Sequence, residues 1–170
     1  IIADNLGNNA PGLVFRNILT GLSKKIEFDI ITSTLDYRAP KEHRGSVNYV
    51  PQKRIPSWRL RTFLFNIFGF YHTQKKWAKD IQGILNSKAY DVVVSLMSSA
   101  FYASVMAADI FVSHRKVKHI CYCVDAVPAP FPWEKEGMYT SAMKRCVRKY
   151  MQKVNVLCMT NQEMLTYELG

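Results

Sequence analysis

Short apolar runs alternate along the chain with longer stretches whose apolar residues recur at helical spacing, and this alternation predicts the elements one by one. Ile1-Ile2-Ala3-Asp4 reads as a strand, followed by a loop over 5–12 and an amphipathic helix over 13–22. Residues 27–33 form a second strand. The polar stretch 34–46, with Pro40 and Gly45, is loop. A short strand at 47–50 is stopped by Pro51. Ser57 is placed to cap a helix to about Phe68, broken at Gly69. Thr73 is placed to cap the next, with Trp77, Ile81, Ile84 and Leu85 on one stripe. The nearly all-apolar run 91–96 has the character of a strand covered on both faces. Ser98 and Ser99 open a helix rich in small residues to about Ser113, and 118–124 is the next strand. A long proline-rich segment, 125–140, leads to a basic helix capped by Ser141 and running to about Lys153. A strand over 154–160 and a helix over 161–169 complete the chain.

Strands and helices in strict alternation predict an α/β fold: a doubly wound, mainly parallel Rossmann-like sheet with helices on both faces. Residues 1–4, 92–96, 120–124 and 156–159 are expected as its interior strands, because their apolar, β-branched content does not alternate. The 170 residues suit one domain. The sequence opens inside a strand and closes on a glycine after a helix, as expected of a domain excised from a longer protein.

The net charge of +10, from 23 Lys+Arg against 13 Asp+Glu, favours an anionic partner: a nucleotide, a phospholipid surface, an anionic lipid carrier or a nucleic acid. A more acidic companion domain would account for it equally. Nucleic acid is disfavoured, because no recognisable binding motif is present and the basic residues are spread along the chain. Apolar runs fall far short of the roughly 20 residues that span a bilayer, and no signal peptide is visible. Cys121, Cys123, Cys146 and Cys158 read as reduced core thiols of a cytosolic protein. His43, His72, His114 and His119 lack ligand spacing, so no metal and no cofactor are expected.

Five places can carry chemistry. In the first loop, Gly7, Asn8, Asn9 and Gly12 surround Pro11: glycine admits close approach, asparagine offers side-chain donors and acceptors, and proline suits a first helical turn. An ordinary strand-to-helix loop has the same composition. The loop matches neither G-x-G-x-x-G nor a Walker motif, which disfavours ordinary dinucleotide and P-loop binding. Asp125 follows a strand at the edge where open α/β sheets hold ligands; it reads as a base or sugar-hydroxyl ligand, or else as a loop-stabilising aspartate. Ser98, Ser99 and Thr160 follow other strands at the same edge, where they line a cleft or merely cap helices. The aromatic-aliphatic run 58–71, opened by Trp58, Arg59 and Arg61, can lie in a membrane interface or pack as a core helix. The basic helix 144–153 can touch phosphates, or can present a solvated face beside its apolar stripe Cys146, Val147, Tyr150 and Met151.

Three segments of the chain together resemble a known family. The opening IIADNLGNNAPGLVFRNIL, the strand Tyr90-Asp91-Val92-Val93-Val94-Ser95 and the closing VLCMTNQEML are similar to the first loop and helix, the mid-domain strand and the closing strand and helix of one domain type. It is the N-terminal Rossmann-like domain of retaining GT-B glycosyltransferases, of the group 1 or family 4 kind. The resemblance implies an acceptor-binding domain that works with a C-terminal nucleotide-sugar-binding domain absent from this chain. That second domain would carry the E-x7-E motif that contacts the donor. It further implies transfer from a nucleotide-sugar donor to a glycan or lipid-linked acceptor, with Asp125 in the catalytic position. The first loop would sit by the acceptor or the donor phosphates. The reduced thiols point to a cytoplasmic location, and the run 58–71 with its arginines to a peripheral place at the inner face of an anionic membrane, within reach of a lipid-linked acceptor. A non-catalytic Rossmann-like or flavodoxin-like binding module is the competing expectation.

Overall fold

The computed structural model describes residues 1–53, 58–68, 72–98, 102–125 and 138–169, leaving aside the side chains of 58, 61, 62, 66, 138–143, 165 and 167–169. Six strands, β1 (Ile2–Ala3), β2 (Ile30–Thr32), β3 (Val47–Tyr49), β4 (Val92–Met97), β5 (Lys118–Cys123) and β6 (Val156–Met159), form one sheet in the order β3-β2-β1-β4-β5-β6. Every pairing is parallel. The helices are α1 (Ala10–Ser23), α2 (Trp58–Phe68), α3 (His72–Asp80), α4 (Gln82–Leu85), α5 (Ala103–Val112), α6 (Met138–Met151) and α7 (Gln162–Leu169). The fold is a doubly wound Rossmann-like sheet, and its strand order reverses direction between β1 and β4.

Alternating side chains divide the core in two. Ile2, Ile31, Val93, Met97, Cys121 and Cys123 point to the side covered by Trp77, Ile81, the body of α5 and Val147 of α6. Ala3, Ile30 and Leu96 point to the other side, where Phe15 and Leu19 of α1 cover them. Residues 103–108 of α5 are all buried, so this helix is enclosed on every side. The basic helix α6 carries the expected stripe, with Val147 and Met151 buried and Cys146 and Tyr150 packed against the core. Among the described residues no helix is long and apolar enough to cross a membrane.

Several local expectations are corrected. Val156–Met159 is an edge strand of the described sheet, with Val156 47% exposed, while β2 is interior and wholly buried. Thr73 lies inside α3 and Ser141 inside α6. Ser98 continues the end of β4 and does not cap α5, whose cap position falls to Tyr102. The predicted cap Ser57 and the break at Gly69 lie outside the described residues. The expected stripe of the following helix holds: Trp77, Ile81 and Leu85 are buried and Ile84 packs against them, spread over α3 and α4. Of the four cysteines, Cys121 and Cys123 are buried and all are free thiols; burial, with Ser95 opposing, raises Cys121 to about 11. His119 is a core histidine, its Nε2 2.8 Å from Ser95 Oγ, and burial lowers its pKa to about 4.

The N-terminal ends of three strands are tied by one carboxylate. Asp29, just before β2, accepts hydrogen bonds from Ser46 N (2.7 Å), Ser46 Oγ (2.8 Å), Lys88 Nζ (2.7 Å) and Tyr90 Oη (2.8 Å). Burial alone would raise its pKa, but the bonds from Lys88, Ser46 and Tyr90 outweigh that and hold it well below the usual carboxylate range. A depressed folded pKa contributes stability that is present above the unfolded value of 3.8 and is lost as pH falls below it. Asp29→Asn should therefore cost on the order of 2 kcal/mol at neutral pH. Urea unfolding at pH 7 and pH 3 checks this: the variant's stability should depend less on pH across the acid range than the parent's, and parallel acid limbs would contradict the assignment.

Candidate functional site

An all-parallel sheet gathers the residues that follow its strands on one edge, so the loop after β1, Ser98 after β4, Asp125 after β5 and Thr160 after β6 share the C-terminal edge. They are not equally close. Ser98 flanks the switch point between β1 and β4, whereas at a strand spacing of about 4.8 Å Asp125 stands about 10 Å from β1 and Thr160 about 14 Å. Ser99 lies outside the described residues, as does the segment 126–137 after Asp125.

The loop after β1 is built from its own side chains. Gly7 N donates to Asn5 Oδ1 (3.1 Å), Asn5 Nδ2 donates to Asn9 Oδ1 (3.2 Å), and the same oxygen accepts from Gly12 N (3.0 Å). Asn9 is thus the N-cap of α1, and Pro11 sits in its first turn as the sequence indicates. Gly12 does not open space for a ligand. A Cβ there would lie 2.2 Å from Gly7 O and 2.8 Å from Gly7 N, so the glycine is required for the loop's own backbone to close on the helix. Arg16, one turn further on, donates from Nε to Leu6 O (2.7 Å) and from Nη1 to Asn8 Oδ1 (2.9 Å), and lies over the ring of buried Tyr37 at 5.7 Å. Burial raises the Tyr37 phenol, with Arg16 opposing. Asn8 and Asn9 remain exposed.

The start of α5 faces this loop across the switch point. Ala103 N donates to Asp4 Oδ2 (3.2 Å) and Tyr102 N donates to Gln74 Oε1 (3.0 Å). Asp4 is 1% exposed, and its main-chain oxygen accepts from Ser33 Oγ. A carboxylate from the end of β1 therefore takes the place at the α5 N-terminus that a bound anion would take in an open site. At the opening of α1, Pro11 has no N–H, Gly12 N is held by Asn9 Oδ1, and Leu13 N donates to Asn9 O (2.9 Å).

The other expected residues divide clearly. Ser98 Oγ is buried with no hydrogen-bond partner among the described residues. Asp125 is half-buried; its main-chain oxygen accepts from Cys123 Sγ (2.9 Å), and its carboxylate receives no hydrogen bond or ion pair from a described residue. Thr160 Oγ1 lies 3.1 Å from Val124 O and from Met164 Sδ, so its hydroxyl ties β6 to the end of β5. Trp58, Arg59 and Arg61 belong to α2, which packs against α6; Arg59 is exposed, and the side chains of Trp58 and Arg61 are outside the described set. Among the described residues no three His, Cys, Asp or Glu side chains converge to hold a metal ion. Asp4, Arg16 and Gln74 were not expected at the site. Asp4 had a local signal, as the first polar residue of an apolar strand, but Gln74 reaches Tyr102 from 28 residues away.

No known family profile matches the chain. No curated protein matches it either. Among solved structures it is similar to CetZ from Methanosaeta thermophila strain DSM 6194, with a TM-score of 0.50 and 14% identity over 93% of this chain. The match spans 44% of that protein's length, and at this identity it speaks to the fold alone.

Proposed function

We propose that the chain is the acceptor-side domain of a GT-B type glycosyltransferase that moves a sugar from a nucleotide-sugar donor to a glycan or lipid-linked acceptor. One observation carries the reading: at the ligand edge the amides of Gly12 at the start of α1 and of Tyr102 and Ala103 at the start of α5 are taken up inside the protein, by Asn9, Gln74 and Asp4. An edge built to hold a diphosphate keeps such amides open. This edge offers exposed asparagine amides at Asn8 and Asn9 and the carboxylate of Asp125, groups that pair with hydroxyls. The donor's diphosphate then belongs to a second domain, and transfer takes place in the cleft between the two. In that step the acceptor hydroxyl attacks the anomeric carbon, the bond to the nucleoside diphosphate breaks, and the hydroxyl proton passes to a base, the role assigned to Asp125.

The test is sugar transfer by the full-length protein, with labelled UDP- and GDP-sugars and a membrane-lipid and glycan extract as acceptor source. Label should enter the lipid or glycan fraction with the full-length protein, while residues 1–170 alone bind donors weakly and transfer nothing. Tight donor binding by residues 1–170 would overturn the acceptor-side assignment. Ligand binding without transfer by the full-length protein would favour a non-catalytic binding module.

A further inference from the structure

Helix α2 turns a single apolar side chain fully inward, Phe65, among those described. Its opposite face is apolar too. Leu60 (47% exposed), Phe63 (59%), Ile67 (57%) and Phe68 (49%) follow the spacing i, i+3, i+7, i+8 and so form one stripe along the helix. Four large side chains exposed together on an 11-residue helix mark a docking surface rather than scattered surface residues.

The charge around this stripe identifies the occupant. Between residues 51 and 80 the chain carries seven Lys or Arg and one acidic residue, Asp80, so this segment supplies six of the ten net positive charges. The cations are contiguous with the stripe: the Phe68 ring meets the His72 ring edge-on at 4.6 Å, and His72 lines a shallow basic depression with Lys75, Lys76, Lys79 and Asp80. A second copy of the chain is a poor occupant, because it would bring two strongly positive surfaces together. A single short helix also offers less area than the roughly 800 Å² per partner of a stable interface. An apolar stripe bordered by cations suits a surface with an apolar interior and anionic headgroups.

We propose that α2 and the start of α3 dock on an anionic lipid bilayer. Leu60, Phe63, Ile67 and Phe68 enter the boundary between headgroups and acyl chains, and the α3 lysines, with Arg59, lie at the depth of the phosphates. The inference stands apart from the sugar-transfer reading, since it needs no donor and no second domain.

Sedimentation of the 170-residue chain with vesicles tests it. Binding should be strong to phosphatidylcholine vesicles containing phosphatidylglycerol, weak to phosphatidylcholine alone, and reduced by salt. Phe63→Ser with Ile67→Ser replaces two side chains that are more than half exposed, so the fold should survive; binding should fall about tenfold or more. Arg59→Glu with Lys79→Glu, a second surface variant, should also lower it about tenfold. Equal binding to neutral and anionic vesicles overturns the proposal, as does binding that both variants leave unchanged. No binding to either vesicle, with self-association that Phe63→Ser and Ile67→Ser abolish, assigns the face to a second copy instead; no binding and no self-association assigns it to another protein surface.

Discussion

Gly12→Ala should destabilise the protein by about 1–3 kcal/mol net, although alanine is the better helix former by about 1 kcal/mol. The reason lies in what the new methyl meets. Its Cβ would stand 2.2 Å from Gly7 O, 2.8 Å from Gly7 N and 2.9 Å from Asn9 Oδ1. Two of these are backbone atoms that cannot rotate away, so the loop itself must shift. Overpacking of this kind costs about 1–3 kcal/mol. The shift also strains the Asn9 cap on Gly12 N, a bond whose loss costs about 1 kcal/mol. Gly21, in the same helix, is the internal control: nothing lies within 4 Å of its Cβ position, so Gly21→Ala should stabilise by about 0.5–1 kcal/mol. Urea unfolding of the two variants beside the parent decides the matter. The substitutions are chemically identical and should move stability in opposite directions; the same sign for both would refute the packing described for the loop.

The pair also shows what the sequence could and could not reveal. The composition of 5–12 predicts a loop entering a helix, and Pro11 near the start of that helix is legible as such. That Gly12 serves the loop's own backbone is not legible, because it depends on where Gly7 returns in space. The same division runs through the fold. Apolar runs at 92–96 and 118–124 announce strands because parallel strands are buried on both faces, and the alternation of elements announces crossovers. The position of a strand within the sheet is another matter: Val156–Met159 is as apolar as an interior strand, yet it lies at the edge, with β5 as its described neighbour.

Helix caps failed for a related reason. Ser98, Thr73 and Ser141 are good local caps by residue type, but the structure opens α5 with Asp4, 99 residues away in sequence, and with Gln74. Long-range partners of this kind leave no mark in a local pattern. The exposure of Phe63 and Ile67 was hidden likewise, since one apolar helix pattern serves a core, a membrane surface or both.

Asp125 is the residue on which the transfer reading depends most. It stands one strand beyond Ser98 on the ligand edge, half-buried, with no described side chain or backbone group donating to its carboxylate. A structural aspartate in a loop ordinarily receives such bonds. On the proposed transfer reading, Asp125→Ala in the full-length protein should lower the rate of transfer by about 10²–10⁴-fold, the usual contribution of a positioned acid or base. The KM for the nucleotide-sugar should stay nearly constant, because the donor's phosphates are assigned to the other domain. Asp125→Asn separates two ways of using the carboxylate. The amide keeps the size and a hydrogen bond to the acceptor hydroxyl, but it cannot take the proton. If the residue is the base, Asn should be as slow as Ala; if it only holds the acceptor, Asn should recover most of the rate while Ala raises the acceptor KM. Turnover near that of the parent in both variants would return Asp125 to the part of a loop aspartate and move the search for the acceptor site towards Asn8, Asn9 and the buried Ser98 at the switch point.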